Sequence, residues 1–187
     1  MELNVKPLSP ATWEDFAVLA ERHNGVWGGC WCTWFHRSDT VRTGDTAFNR
    51  ELKKALVMSG RAHAALVYDG DRPVGWCQYG SPGELPHIYH QKQVETDGYT
   101  FPDWRITCFF VDKEYRGNGV AKAALLGALE LIRQAGGGMV ESYPQDTHGE
   151  TISASFLYNA TRTLFEECGF TCVGSKGKNH TIMRRLI

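Results

Sequence analysis

The sequence predicts an α/β domain on a mixed, mostly antiparallel sheet of about seven strands, flanked by about four helices. Three observations carry this. Short alternating or β-branched runs recur along the whole chain. Longer stretches with helical spacing separate them, several closed by glycine. In the middle, an apolar strand runs straight into a glycine loop and then a long helical stretch.

The elements follow in order. Residues 3–8 alternate apolar and polar and predict a half-buried first strand; Ser9-Pro10 then supplies an N-cap and a proline at the first helical position, for a helix to about His23. Residues 24–44 are rich in glycine and tryptophan without a steady period, which predicts an ordered aromatic loop able to wall a pocket. Phe48, Leu52, Ala55 and Leu56 predict a second helix over 46–59, stopped by Gly60. Residues 62–68 and 73–79, joined at Asp69-Gly70-Asp71, predict a β-hairpin. Residues 81–103 exceed an ordinary connection and carry aromatic and imidazole groups, so they are read as a substrate lid. Residues 105–111 predict a central strand, 120–135 a helix stopped by three glycines, 139–143 a short strand and 151–168 a helix ended by Gly169. Residues 170–173 and 180–186 predict paired terminal strands.

With 187 residues, 42% of them hydrophobic, the chain predicts one domain spanning 1–187. A net charge of −1 gives no electrostatic footprint for nucleic acid or an anionic membrane, so a small-molecule or local peptide partner is expected. The start lacks a signal-peptide layout and no run is apolar enough to span a bilayer, which predicts a cytoplasmic protein. The six cysteines sit mostly in apolar runs and are read as reduced. Cys30 and Cys32, with His23 and His36 nearby, raise zinc as an alternative; their spacing is poor for it, aromatic packing is preferred, and no metal is assigned.

The chemistry-bearing feature is the strand followed by Asp112-Lys113-Glu114-Tyr115, then Arg116-Gly117-Asn118-Gly119-Val120-Ala121, then a helix. Glycines there let several N–H groups converge at a helix N-terminus, which suits a diphosphate. The dinucleotide fingerprint fails for want of its third glycine, and no Gly-Lys-Ser/Thr follows as a P-loop requires.

What remains resembles the cofactor motif of the GNAT acyltransferases, with Arg116, Gly117, Gly119 and Ala121 at its signature positions. Phe156-Leu157-Tyr158-Asn159 followed by Leu164 to Gly169-Phe170 is similar to that family's helix ending in a Gly-Phe pair. The resemblance implies a sheet split between the strands at about 105–111 and 139–143, opened by a bulge in the first of them. It implies acetyl-CoA as cofactor, with Phe109, Phe110 and Val111 on the pantetheine arm, residues Arg116 to Ala121 (Asn118 and Val120 included) on the diphosphate, and Asn159 beside them. The implied reaction is direct transfer of an acetyl group to a primary amine of a small molecule or peptide, and assembly as a homodimer stays open.

An alkyl amine is protonated at neutral pH and needs a base. The resemblance points to Glu141, which burial between split strands would tune. Where relatives carry a tyrosine acid this chain has Phe165, so that role passes to Tyr158, Tyr143 or solvent; the position of another family base is occupied by Arg105. His87, His90, His148 and Asp146 are further loop candidates. Cys108 is read as core, not as a nucleophile, because no partner in sequence would lower its pKa. A CoA-binding sensor that has lost turnover is the alternative.

Overall fold

The computed structural model describes residues 1–36, 45–96, 98–153 and 157–187. Its seven strands are β1 (Leu3–Pro7), β2 (His63–Asp69), β3 (Arg72–Gly80), β4 (Trp104–Val111), β5 (Met139–Ser142), β6 (Thr171–Lys176) and β7 (His180–Leu186). The α-helices are α1 (Trp13–Glu21), α2 (Thr46–Met58), the single-turn α3 (Gln91–Val94), α4 (Val120–Gln134) and α5 (Arg162–Glu167). The sheet order is β1-β2-β3-β4-β5-β7-β6, antiparallel throughout except for the parallel pair β4–β5. Part of the aromatic loop predicted over 24–44 falls on 37–44, outside the described residues.

The two faces of the sheet are covered by different elements. Phe16 and Leu19 of α1 and Val57 of α2 pack with Leu66, Trp76, Cys108 and Phe110 on one face. On the other, Ala124, Leu125, Ala128 and Ile132 of α4 and Phe165 of α5 pack with Val67, Cys77, Phe109 and Val140. The alternation of strand side chains makes this division.

Two departures from the sequence reading bear on the site. Among the described residues, the predicted helix over 151–168 is present only as α5 from Arg162 to Glu167, capped by Thr161, whose Oγ1 accepts from the Leu164 N–H at 3.3 Å. Tyr158 and Asn159 therefore lie in an irregular segment, and residues 154–156 are outside the described ones. α2 does not bury the predicted stripe: Phe48 is exposed, and the inward residues are Asn49, Lys53 and Val57. The reason is polar. Asn49 Nδ2 donates to the Gly29 carbonyl at 2.7 Å, while the Lys53 ammonium donates to Gln78 Oε1 and lies 3.2 Å from His36 Nε2. Burial lowers the Lys53 pKa. In turn Gln78 Nε2 donates to Thr107 Oγ1 at 3.0 Å, so this buried strut ends on β4.

The expected opening of the sheet is present. β3 and β4 shift register where Gln78 pairs with Cys108 and Tyr79 with Ile106, which leaves Thr107 as the extra residue of a bulge. β4 and β5 pair only over Trp104–Ile106 and Val140–Ser142, and beyond Ile106 the strands part. The mouth between them is occupied by the segment before α5: Phe109 N–H donates to the Tyr158 carbonyl at 2.6 Å, Gln145 N–H to that of Ala160 at 3.1 Å, and Arg162 N–H to that of Gln145 at 2.9 Å.

The insert at 81–103 lies over β5 and β7, on the face away from Val140 and α4. It is tied down. Arg105 Nη1 donates to the Leu85 carbonyl at 3.0 Å and its Nη2 meets Glu95 at 3.3 Å. Arg184 Nη2 donates to the Thr100 carbonyl at 2.6 Å, and the Gly177 N–H to Gln93 at 2.9 Å. Among the described residues no helix is long and apolar enough to cross a membrane.

Candidate active site

The glycine loop forms as the spacing requires. After β4, Asp112 caps a short 3-10 turn over Lys113–Tyr115, accepting from the Glu114 N–H at 3.2 Å. Gly117 and Gly119 take φ of +77° and +79°, a region that L side chains enter only under strain, and Gly119 is the N-cap of α4. The Asn118 side chain donates to the Arg116 carbonyl at 3.3 Å and steadies the turn. The 15-residue α4 then presents the N–H groups of its first turn, with the positive end of its dipole, to the space in front of the loop.

That space is a cleft of about 590 Å³. Phe109, Phe110 and Val111 of β4 form one wall, the loop from Tyr115 through Lys122 its end, and Leu157, Ala160, Thr161 and Leu164 the far side, with Trp27 leaning in from the aromatic loop. Seven of the predicted cofactor residues are lining residues: Phe109, Phe110, Val111, Arg116, Gly117, Gly119 and Val120; Ala121 is an eighth. Asn118 is exposed and is not among the lining residues. Asn159 is buried beside the lining residue Ala160, where its Nδ2 donates to the Tyr143 carbonyl at 3.1 Å and its Oδ1 has no hydrogen-bond partner among the described residues. An orphaned buried acceptor beside such a cleft fits a ligand carrying amide donors, and converging main-chain amides at a helix start fit a diphosphate.

The predicted catalytic residues divide. Glu141 does not face the cleft: it is completely buried, with Oε1 accepting from the Tyr99 hydroxyl at 2.6 Å and from Tyr143, and Oε2 held by Arg184 at 2.7 Å. Both oxygens are committed, and the insert closes over them. Tyr143 is buried in the same network, its phenol pushed far up by burial, with Arg105 opposing and Glu141 adding to the rise. Neither residue lines the cleft. Their placement follows from β5 alternation, since Val140 faces α4 and Glu141 must point the other way.

Tyr158 is not among the lining residues either, but it follows Leu157, which is. It is half-buried against Trp27 and Phe35, each 6.3 Å away between ring centroids, at the seam where Phe109 donates to its carbonyl. Burial raises its pKa to about 12. Phe165 is fully buried edge-on to Phe109 and Phe170 and replaces a hydroxyl with packing.

A second cavity, of about 500 Å³, lies on the α1 face and shares Trp27, Phe110 and Arg116 with the cleft; its other lining includes Arg22, His23, Val26 and Lys113. Sequence reasoning gave no role here to His23 beyond a zinc ligand. Three of the four residues of that reading go to different neighbours: His23 lies beside Asp112, His36 Nδ1 is 2.9 Å from the Glu84 carbonyl, and Cys32 Sγ accepts from the Trp76 indole at 3.4 Å. Among the described residues no group of three or more His, Cys, Asp or Glu is placed to hold a metal ion. Cys108 is buried with its thiol pKa well raised by burial, as befits a core residue.

The model of the acetyltransferase (GNAT) family matches residues 29–170. The chain belongs to the GNAT acetyltransferase family. No curated protein matches its sequence. Among solved structures it is similar to the histone acetyltransferase HPA2 and related acetyltransferase from Corynebacterium glutamicum, at 18% identity with TM-score 0.57, covering 98% of this chain and 96% of that one. It is also similar to yncA, described as a putative acetyltransferase from Salmonella typhimurium with its cofactor acetyl-CoA, at 17% identity, TM-score 0.55 and coverages of 98% and 93%. The PaiA N-acetyltransferase from Thermoplasma acidophilum in complex with coenzyme A aligns over 100% of both chains at 12% identity and TM-score 0.52. These likenesses are of fold.

Proposed function

We propose that this GNAT protein transfers an acetyl group from acetyl-CoA to a primary amine of a small molecule or peptide. The observation that carries the reading is the single cleft bounded at once by the edge of β4 and by the glycine loop at the start of α4. Residues Arg116 to Ala121 hold the diphosphate through main-chain amides and the helix dipole. The edge of β4 at Phe109 to Val111 and Asn159 Oδ1, unpartnered among the described residues, hold the pantetheine amides. When bound, acetyl-CoA supplies an acetyl group already activated as a thioester.

The chain's own groups orient the partners and move protons. Tyr158, whose hydroxyl stays protonated to about pH 12 because it is buried, serves as proton donor to the departing thiol. Glu141 and Tyr143 hold the insert and β5 in place and take no part in proton transfer. The acceptor enters on the α1 face, across the sheet from α4, where Trp27 and Phe110 line both spaces. The aromatic lining favours a compact, partly apolar amine.

The test combines calorimetry with CoA and a thiol-release screen of amines against acetyl-CoA. Micromolar CoA binding and turnover with at least one amine are expected. Tyr158→Phe then lowers kcat roughly 10- to 100-fold with CoA affinity unchanged. Tight CoA binding with no amine consumed would leave a sensor; no CoA uptake at all would remove both readings.

A further inference from the structure

With Glu141 closed off, the proton of the acceptor's ammonium still needs a taker on the α1 face. His23, just past the last turn of α1, lines the second cavity, its ring 4.9 Å from that of Phe110. Its Nε2 is 3.5 Å from Oδ2 of Asp112 and, being buried, makes no hydrogen bond of standard geometry among the described residues. An imidazole whose Nε2 turns toward a carboxylate carries its proton there and leaves the Nδ1 lone pair for a ligand.

Asp112 is fixed as a backing group. It is 2% exposed, accepts from the Glu114 N–H, and also meets Arg22 at 3.7 Å and Arg72 at 3.4 Å. Burial alone would raise its pKa, but the Glu114 amide, His23 and Arg22 outweigh that and hold it below the usual carboxylate range. It stays ionised at neutral pH and can support a positive imidazolium. The charged groups around the ring are therefore Asp112 from the β4 end, Arg22 from the α1 end, Arg72 from β3, and Lys113 and Arg116 from the glycine loop.

We infer that His23, backed by Asp112, is the general base of the reaction, accepting the ammonium proton of the acceptor amine at Nδ1 in the cavity that adjoins the cofactor cleft. The inference rests on the acetyltransferase reading. One proton leaves the acceptor nitrogen and one arrives on the imidazole, which becomes imidazolium against the Asp112 carboxylate; no bond to carbon forms at His23. The cations Arg22, Lys113 and Arg116 oppose that charge, so Asp112 must offset them, and the base works only while the carboxylate is ionised.

The experiment measures kcat, KM and CoA affinity for His23→Ala and His23→Gln, with pH–rate profiles and added imidazole. Expected are a loss of kcat on the order of 100-fold in both variants, CoA affinity within threefold of the parent, disappearance of the acidic limb of the profile, and partial rescue of His23→Ala by imidazole. Unchanged kcat in both variants, or an intact acidic limb without His23, overturns the assignment and leaves the enzyme reading standing. A parent protein that binds acetyl-CoA but acetylates no amine overturns the enzyme reading itself, and His23 with it.

Discussion

At the scale of single residues, chemistry type was easier to read than direction. Glu141 was legible as a carboxylate on a short strand after the cofactor helix, but which side of the sheet it faced depended on the register with β4 and β7, which no local pattern carries. Its consequence is structural. Glu141→Gln removes the charge that neutralises Arg184 and weakens the bonds from Tyr99 and Tyr143, so unfolding in urea should show a loss of about 3 kcal/mol, the scale of a broken buried ion pair. Unchanged stability with strongly reduced kcat would return Glu141 to the chemistry. Lys53 was hidden for a similar reason. Its partners Gln78 and His36 are distant in sequence, so α2 looked like an ordinary apolar stripe one position out of phase.

At the scale of elements, the strand, glycine loop and helix from 104 to 134 were fully legible because every signal is local: β-branched and aromatic content, two glycines at positive φ, then helical spacing. The segment before α5 was not. Its main chain bonds to β4 and to Gln145, just past β5, in place of continuing the helix, and such pairing is set by the gap the bulge creates. The insert at 81–103 was recognisable as an excursion, yet its fastening was not, since Arg105, Arg184 and Gly177 that hold it lie on three different strands or turns. Because Arg105 is buried and Glu95 is its acidic contact among the described residues, Glu95→Gln should loosen this element first. Hydrogen exchange should then rise over residues 86–96 while β2 and β3 stay protected. Uniform acceleration across the sheet would show instead that the insert and the core open as one unit.

At the scale of the whole molecule, buried amines push stability upward as pH rises above neutrality, Lys176 and Lys53 among them. Lys176 lies over the Tyr143 ring at 4.3 Å, and burial lowers its pKa to about 8, against 10.5 when unfolded. Between those values the unfolded chain binds a proton that the folded chain does not, so stability rises with pH, by up to about 1.4 kcal/mol per unit. The rise is opposed from about pH 9, where thiols raised by burial, Cys77 and Cys108 among them, work in the opposite direction, and further near pH 10 by tyrosines such as Tyr79, raised to about 12. Between about pH 8 and 10 the stability of the parent in urea should gain on that of Lys176→Met as pH rises. A constant difference across this range would place Lys176 in water.

Trp27 stands in the partition between two adjoining chambers and lines both. A partition of that kind means neither reactant need wait for the other to depart, because each has its own doorway, and the two meet only at the gap beside Phe110. Initial-velocity plots against one reactant at several levels of the other should therefore intersect, the pattern of a ternary complex, and no thiol should appear when acetyl-CoA is offered without an amine.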